Sequence, residues 1–334
     1  MASMPPGAAN QEKWRRRSRR AGVVLLSLLL LCTVVVNGCT GWLARSIVWG
    51  PNTDRHVDPA VEPGPEVLTR LGVDRAMRVD VGPPAASLSL WIVEPRPTDG
   101  AATSAPPPRG TVLVLHGIND KKDSMVGVGK HFAAHGYRAV LVDLRAHGRS
   151  SGQWLSFGAV ESKDLSQVVD ALAGACLLAG KVGVFGPSFG GGIAVQFAGR
   201  DPRVGAVVSV CGFTSMRDVT PGVVRMYAPV PVKWLLLDSS IQRAVTEAGR
   251  IGGFDPDAAS AIDAIRKTSA RVLLIHGKLD RKIPPSHSER LHAAAPDHSR
   301  LILLDGEDHD SILAGDAGGV VLRESVAWFD EWLR

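Results

Sequence analysis

Cysteine is scarce in this sequence of 334 residues: there are four, and no Cys-x-x-Cys pair among them. That count excludes a disulfide scaffold, and no metal site is expected, either from the cysteines or from the histidines, which are read as holding no close pair at helical spacing. Charge of one sign is also lacking over most of the chain. Six of the 38 basic residues and one of the 33 acidic ones fall in residues 1–38, so the remainder holds 32 of each. A body without net charge offers no basic footprint for a duplex, and no nucleic-acid partner is expected. Phosphate-loop spacing of the G-x-x-x-x-G-K-[ST] kind is absent as well. At 45% apolar and 21% charged, the chain is neither largely disordered nor collagenous. Its length suits one large α/β domain or two small ones.

The basic excess has a shape. Residues 13–20 read KWRRRSRR, and 21–36 follow without a charge, rich in Leu and Val. A positive segment followed by an apolar one has the pattern of an export signal. As a helix, those sixteen apolar residues would reach about 24 Å, short of the ~30 Å hydrocarbon core, which favours a cleaved signal over a full span. Val36-Asn37-Gly38-Cys39 resembles a bacterial lipobox, making Cys39 the expected lipid-attachment residue, and Ser18-Arg19-Arg20-Ala21 weakly resembles a twin-arginine signal. An uncleaved anchor and ordinary secretion are the alternatives. All three place the chain from residue 40 onward outside the cytoplasm, in or beyond the cell envelope, because the basic flank stays inside. Of the other cysteines, Cys176 shares a helical face with Leu165, Val168, Val169 and Leu172, and Cys211 ends an apolar run. Both are expected to be buried, unpaired thiols.

Residues 39–75 are punctuated by Pro and Gly and read as a stalk or linker; the domain proper is expected over 76–334. A hairpin is expected at 77–81 and 88–93 around Gly-Pro-Pro, and 98–109 is an Ala/Pro/Ser-rich loop. Short apolar runs then recur at 111–115, 139–144, 181–185, 204–210, 271–275 and 301–304, separated by helical patterns. Runs of this length without alternation mark strands buried on both faces, and their alternation with helices implies a parallel, doubly wound sheet. The closing helix presents Leu322, Val326, Phe329 and Leu333 as its inner stripe. Between Cys211 and Arg271 no clear strand occurs, and a segment that long inside a compact domain reads as a lid, about 212–268.

Gly186-Pro187-Ser188-Phe189-Gly190 is G-x-S-x-G, with the run 181–185 leading in and a helical pattern leading out. A sharp strand-to-helix turn lifts its central side chain clear of the sheet and requires small neighbours. Ser188 is therefore the candidate nucleophile, at a helix N-terminus that favours negative charge. The glycines there do not form G-x-G-x-x-G, which argues against a dinucleotide site. A serine needs a base within reach and a carboxylate to orient that base. The runs 271–275 and 301–304 end in HGKLD and DGEDH, so Asp280 is the candidate acid and His309 the candidate base. His116 and His276, each before a Gly, are expected to bond local backbone; Asp308 and Asp310 are expected to be loop carboxylates, and Asp143 to organise the serine turn. The backbone N–H groups of Phe189 and Ile118 are the candidate oxyanion donors.

HGIND, DLRAHGRSSG, GPSFGG, HGKLDRKIP and DHD occur in that order across roughly residues 77–334. In these landmarks the chain resembles serine hydrolases of the α/β-hydrolase superfamily. FGAVESKDLSQVVDAL resembles the branch holding small lysophospholipase-, esterase- and prolyl-oligopeptidase-like proteins. The resemblance implies an α/β-hydrolase fold, with a mostly parallel central sheet, helices on both faces and a small lid. It further implies cleavage of a carboxylic ester through an acyl-Ser188 intermediate, without cofactor or metal. The substrate is expected to be a small-molecule ester, a lipid or a peptide, with the membrane as a further partner through the N-terminal segment. Peptide hydrolysis is the alternative, and thioester cleavage or acyl transfer uses the same residues. A non-catalytic envelope binding module is opposed by the complete Ser–Asp–His set.

Overall fold

The computed structural model describes residues 8–53, 61–96 and 107–333. Residues 97–106 of the Ala/Pro/Ser-rich loop and 54–60 of the expected stalk lie outside these, as do the side chains of Lys13, Arg15 and Arg16 in the basic leader.

Eight strands form one sheet: β1 (Arg75–Val81), β2 (Ala86–Val93), β3 (Thr111–Val114), β4 (Arg138–Val142), β5 (Val182–Pro187), β6 (Val204–Val210), β7 (Arg271–Gly277) and β8 (Ser299–Leu304). Their order is β1-β2-β4-β3-β5-β6-β7-β8, antiparallel at β1–β2 and β2–β4 and parallel from β4 to β8. The helices are α1 (Ala8–Gly38), α2 (Thr40–Ile47), α3 (Pro65–Leu71), α4 (Val126–Ala134), α5 (Glu161–Gly174), α6 (Phe189–Ala198), α7 (Met216–Tyr227), α8 (Val230–Leu235), α9 (Asp238–Gly252), α10 (Ala261–Ile265), α11 (Ser286–Ala294) and α12 (Gly315–Trp332).

Successive strand residues feed opposite cores, as the pleat requires. Leu113, Val140, Val184, Val207 and Leu274 pack with α5, α6 and α9 on one face. Val112, Val114, Leu141, Phe185, Val208 and Ile275 pack with α4 and α12 on the other. This two-sided burial is why the runs carry no polar alternation. The inner stripe of α12 is rotated slightly from the expected one: Val321 is buried beside Val326, Phe329 and Leu333, and Leu322 is only half-buried.

Two expectations are corrected. Cys176 is exposed: α5 ends at Gly174, and the thiol lies beyond it at φ 55°, off the helical face. Cys211 is buried and unpaired, as expected. The expected stalk is held to the body at several described points. Ala44 of α2 is buried in the core, and Arg45 lies over the rings of Trp49 and Trp154. Asn52 donates to the carbonyls of Gly148 and Ser150, and Glu62 accepts from Arg78, Ser89 and Trp91. Cys39, directly after α1, is exposed at the N-cap of α2.

Two buried histidines make the body sensitive to acid. Burial pushes His147 down to about 3 and His287 down to about 4. His147 also faces His116, while Asp218 and Arg290 act on His287 in opposite directions. Below the ordinary value of about 6.5, the unfolded chain protonates both rings and the native chain does not. The unfolded state then binds more protons, so the stabilisation is complete above about pH 6.5 and is lost as pH falls towards 4. Melting between about pH 7.5 and 4.5 is expected to show a falling Tm, and His287→Gln to flatten the fall. A Tm constant across that window would refute the assignment.

Candidate active site

Ser188 sits between β5 and α6 at φ 52° and ψ −116°, a region that costs a side-chain-bearing residue backbone strain. The turn closes only because its neighbours are small. A Cβ on Gly186 would stand 2.4 Å from the Gly190 carbonyl oxygen, and one on Gly190 would stand 2.7 Å from that of His116. The second approach also presses the loop after β3 against the elbow.

The structure brings Ser188, His309 and Asp280 together from three separate segments. Ser188 Oγ lies 2.9 Å from His309 Nε2, and His309 Nδ1 lies 2.6 Å from Asp280 Oδ2. Asp280 Oδ1 accepts the N–H groups of Lys282 and Ile283 at 2.9 Å each. Burial alone would raise the Asp280 carboxyl, but hydrogen bonds from His276, His309 and the Ile283 N–H hold it well below the usual carboxylate range. An ionised Asp280 beside His309 Nδ1 favours the tautomer with the proton on that nitrogen, in which Nε2 can accept from Ser188.

His276 does more than bond local backbone. Its Nδ1 pairs with Ser288 Oγ, its Nε2 with the Ile283 carbonyl, and that Nε2 also approaches Asp280 Oδ2 at 3.3 Å. Cys211, His276 and Asp280 offer ligand atoms within 4.8 Å of one another. His276 and Asp280 already have hydrogen-bond partners, and burial pushes the Cys211 thiol up, away from the thiolate a metal would need. His131 and His135, four residues apart, correct the expectation that no close His pair occurs at helical spacing; among the described residues no third ligand joins them. Asp308 and Asp310 are exposed, Asp308 capping its own loop and Asp310 pairing with Lys282.

The loop carrying Ile118 runs beside the serine: a Cβ on Gly117 would lie 3.8 Å from that of Ser188. Among the described residues neither the Ile118 N–H nor the Phe189 N–H, at the first position of α6, has a hydrogen-bond acceptor. The loop is pinned by His116, whose Nδ1 bonds the Gly117 carbonyl and whose Nε2 accepts the Leu144 N–H. It is pinned again by Asp143, which does not touch the serine turn. Asp143 accepts from the Lys122 N–H, from Lys122 Nζ and from the Arg149 N–H, tying the loop after β3 to the one after β4. Lys122 and Asp143 are both fully buried. Nothing in the sequence marks Lys122, since a lysine in a polar loop reads as solvated. Lys122→Met should strand the Asp143 charge and cost about 3–5 kcal/mol in urea unfolding. A loss below about 0.5 kcal/mol would show that the pair does not support the loop.

The cleft over His309 has a volume of about 410 Å³, bounded by Met226, Leu279, Arg281 and Lys282. Residues 110–236 match the family model of the α/β hydrolase fold. The chain is similar to the esterase Pf2001 of Pyrococcus furiosus, with a TM-score of 0.61 at 18% identity, covering 83% of this chain and all of that one. The fold is that of the α/β hydrolases. Another similar structure is that of a puromycin-hydrolyzing peptidase of Mycobacterium tuberculosis, with a TM-score of 0.58 at 20% identity over 78% of this chain and 39% of that one. By sequence, this chain is 27% identical to the uncharacterized Bacillus subtilis protein YqkD over 60% of its own length. That match spans just under two thirds of YqkD, at 64%. The quorum-quenching protein AidA of Acinetobacter baumannii is 32% identical over 36% of this chain and 38% of its own.

Proposed function

We propose that the protein is a serine hydrolase that cleaves a carboxylic ester through an acyl-Ser188 intermediate. The observation that carries this reading is the chain Ser188 Oγ–His309 Nε2 and His309 Nδ1–Asp280, at 2.9 and 2.6 Å, at a strained strand-to-helix turn. His309 takes the serine proton as Oγ attacks the acyl carbon, then returns it to the departing alcohol. A water molecule next gives its proton to His309, its oxygen takes the acyl group, and the serine recovers its hydrogen. The Ile118 and Phe189 N–H groups would receive the oxyanion, at a helix end already biased towards negative charge. Residues 212–268 act as a lid, to which Met226 at the cleft contributes.

Amide hydrolysis is the second reading, favoured by the likeness to a puromycin-hydrolyzing peptidase. A fluorophosphonate probe should label Ser188. Competing turnover of acyl esters and dipeptide amides of graded length should favour the esters; a preference for amides would reverse the order of the two readings. A protein that takes no label while folded would sink both.

A further inference from the structure

The N-terminal helix is fastened to the body at its last turn. Asn37 of α1 donates from Nδ2 to the Leu235 carbonyl at 3.0 Å, and its Oδ1 accepts the Leu237 N–H at 3.0 Å. One side chain thereby satisfies a carbonyl and an N–H left over at the end of α8. The apolar stretch of α1 is also longer than a count of its uncharged core suggests. Arg17–Gly38 spans 22 residues of continuous helix, or about 33 Å, enough for the ~30 Å hydrocarbon core with the arginines snorkelling outward.

Where that span ends, the body exposes apolar side chains. Tyr227, Val230, Trp234 and Leu237, on and beside α8, are between 54% and 80% exposed, and Trp42 on α2 is 74% exposed. Tryptophan and tyrosine at the level where a span ends match the composition of a membrane–water interface. The same face leads into the cleft: Met226 adjoins Tyr227 and lines it with Leu279 and His309. A lipid surface covers this face better than a protein does, because it continues from a helix whose own apolar side chains are unburied by the body.

We propose that α1 is retained as a transmembrane anchor, that α8 and its flanks lie on the bilayer, and that the site cleaves the acyl ester of a membrane lipid. This rests on the reading of Ser188 as nucleophile. The lipid would enter past Met226 and Leu279 without leaving the interface. Its acyl carbon–oxygen bond breaks, the acyl group passes to Ser188 Oγ and then to water, and a fatty acid and the deacylated alcohol leave. Asn37 can make its two contacts only if the helix stays attached, which sets this anchor against the cleaved lipoprotein with Cys39 at its end.

The test uses the full chain in phosphatidylcholine vesicles. Brominated acyl chains should quench the wild-type tryptophan emission more than that of Trp234→Phe; equal quenching overturns the docking. Val230→Glu and Trp234→Glu should lower turnover of a vesicle-embedded diacylglycerol about tenfold relative to turnover of monomeric p-nitrophenyl butyrate. Equal turnover of the embedded ester overturns the proposed route. An intact mass showing residues 1–38 removed and Cys39 acylated overturns the retained anchor. If the wild type cleaves neither ester and takes no phosphonate label, the nucleophile reading fails, and the quenching result still decides the docking.

Discussion

Ser188→Ala is expected to give a folded protein that takes no fluorophosphonate label and has lost about 10⁶ in kcat. The loss is this large because the hydroxyl oxygen is the atom to which the acyl group would be transferred. Neither His309 nor the oxyanion donors can substitute for it. The two N–H donors and the cleft remain, so binding of a non-cleavable ester should persist, with residual turnover of ~10³–10⁴ over water. Stability should be close to wild type, since alanine removes one half-exposed hydroxyl and occupies the same backbone conformation. Melting curves that superimpose, beside an absent label, make the expected result; undiminished turnover would place the nucleophile elsewhere.

Asp280→Asn should lower kcat by up to ~10⁴ with little change in fold. Asparagine can still accept the Lys282 and Ile283 N–H groups on its oxygen, which turns its amide towards His309. The ring must then accept at Nδ1 and carry its proton on Nε2, the wrong nitrogen for taking one from Ser188. Asp308→Asn and Asp305→Asn are the controls. Asp308 caps its own loop, and Asp305 pairs with Lys278 at the surface, 86% exposed. Both variants should retain nearly full turnover. If either reproduced the loss and Asp280→Asn did not, the carboxylate assignment would be wrong.

The three residues of this site lie 92 and 29 positions apart in the chain, yet each was legible. Parallel strands all end on the same edge of the sheet, so a Ser, an Asp and a His following the ends of β5, β7 and β8 converge there. Strand positions were legible for a related reason: strands covered on both faces show as uninterrupted apolar runs. The burial of Lys122 was not legible. Its charge is tolerable only because Asp143, from the loop after β4, faces it, and a one-dimensional pattern does not record which loops meet. His131 and His135 show the reverse failure, a spacing visible in the sequence that finds no third ligand among the described residues.

Local order, then, was set by the sequence itself: where strands and helices lie, which turn strains a serine, and which residues follow the strand ends. These depend on spacings of a few residues, and hydrophobic period and glycine placement determine them. Tertiary structure alone decided what the irregular segments do. Residues 39–75 have little periodicity, but Ala44, Asn52 and Glu62 each meet a partner distant in sequence that holds them to the body. Cys176 lost its expected burial because its helix stops two residues earlier. Asn37 reaches Leu235 and Leu237 across some two hundred residues, a contact formed by the packing of whole elements and carried by no local pattern.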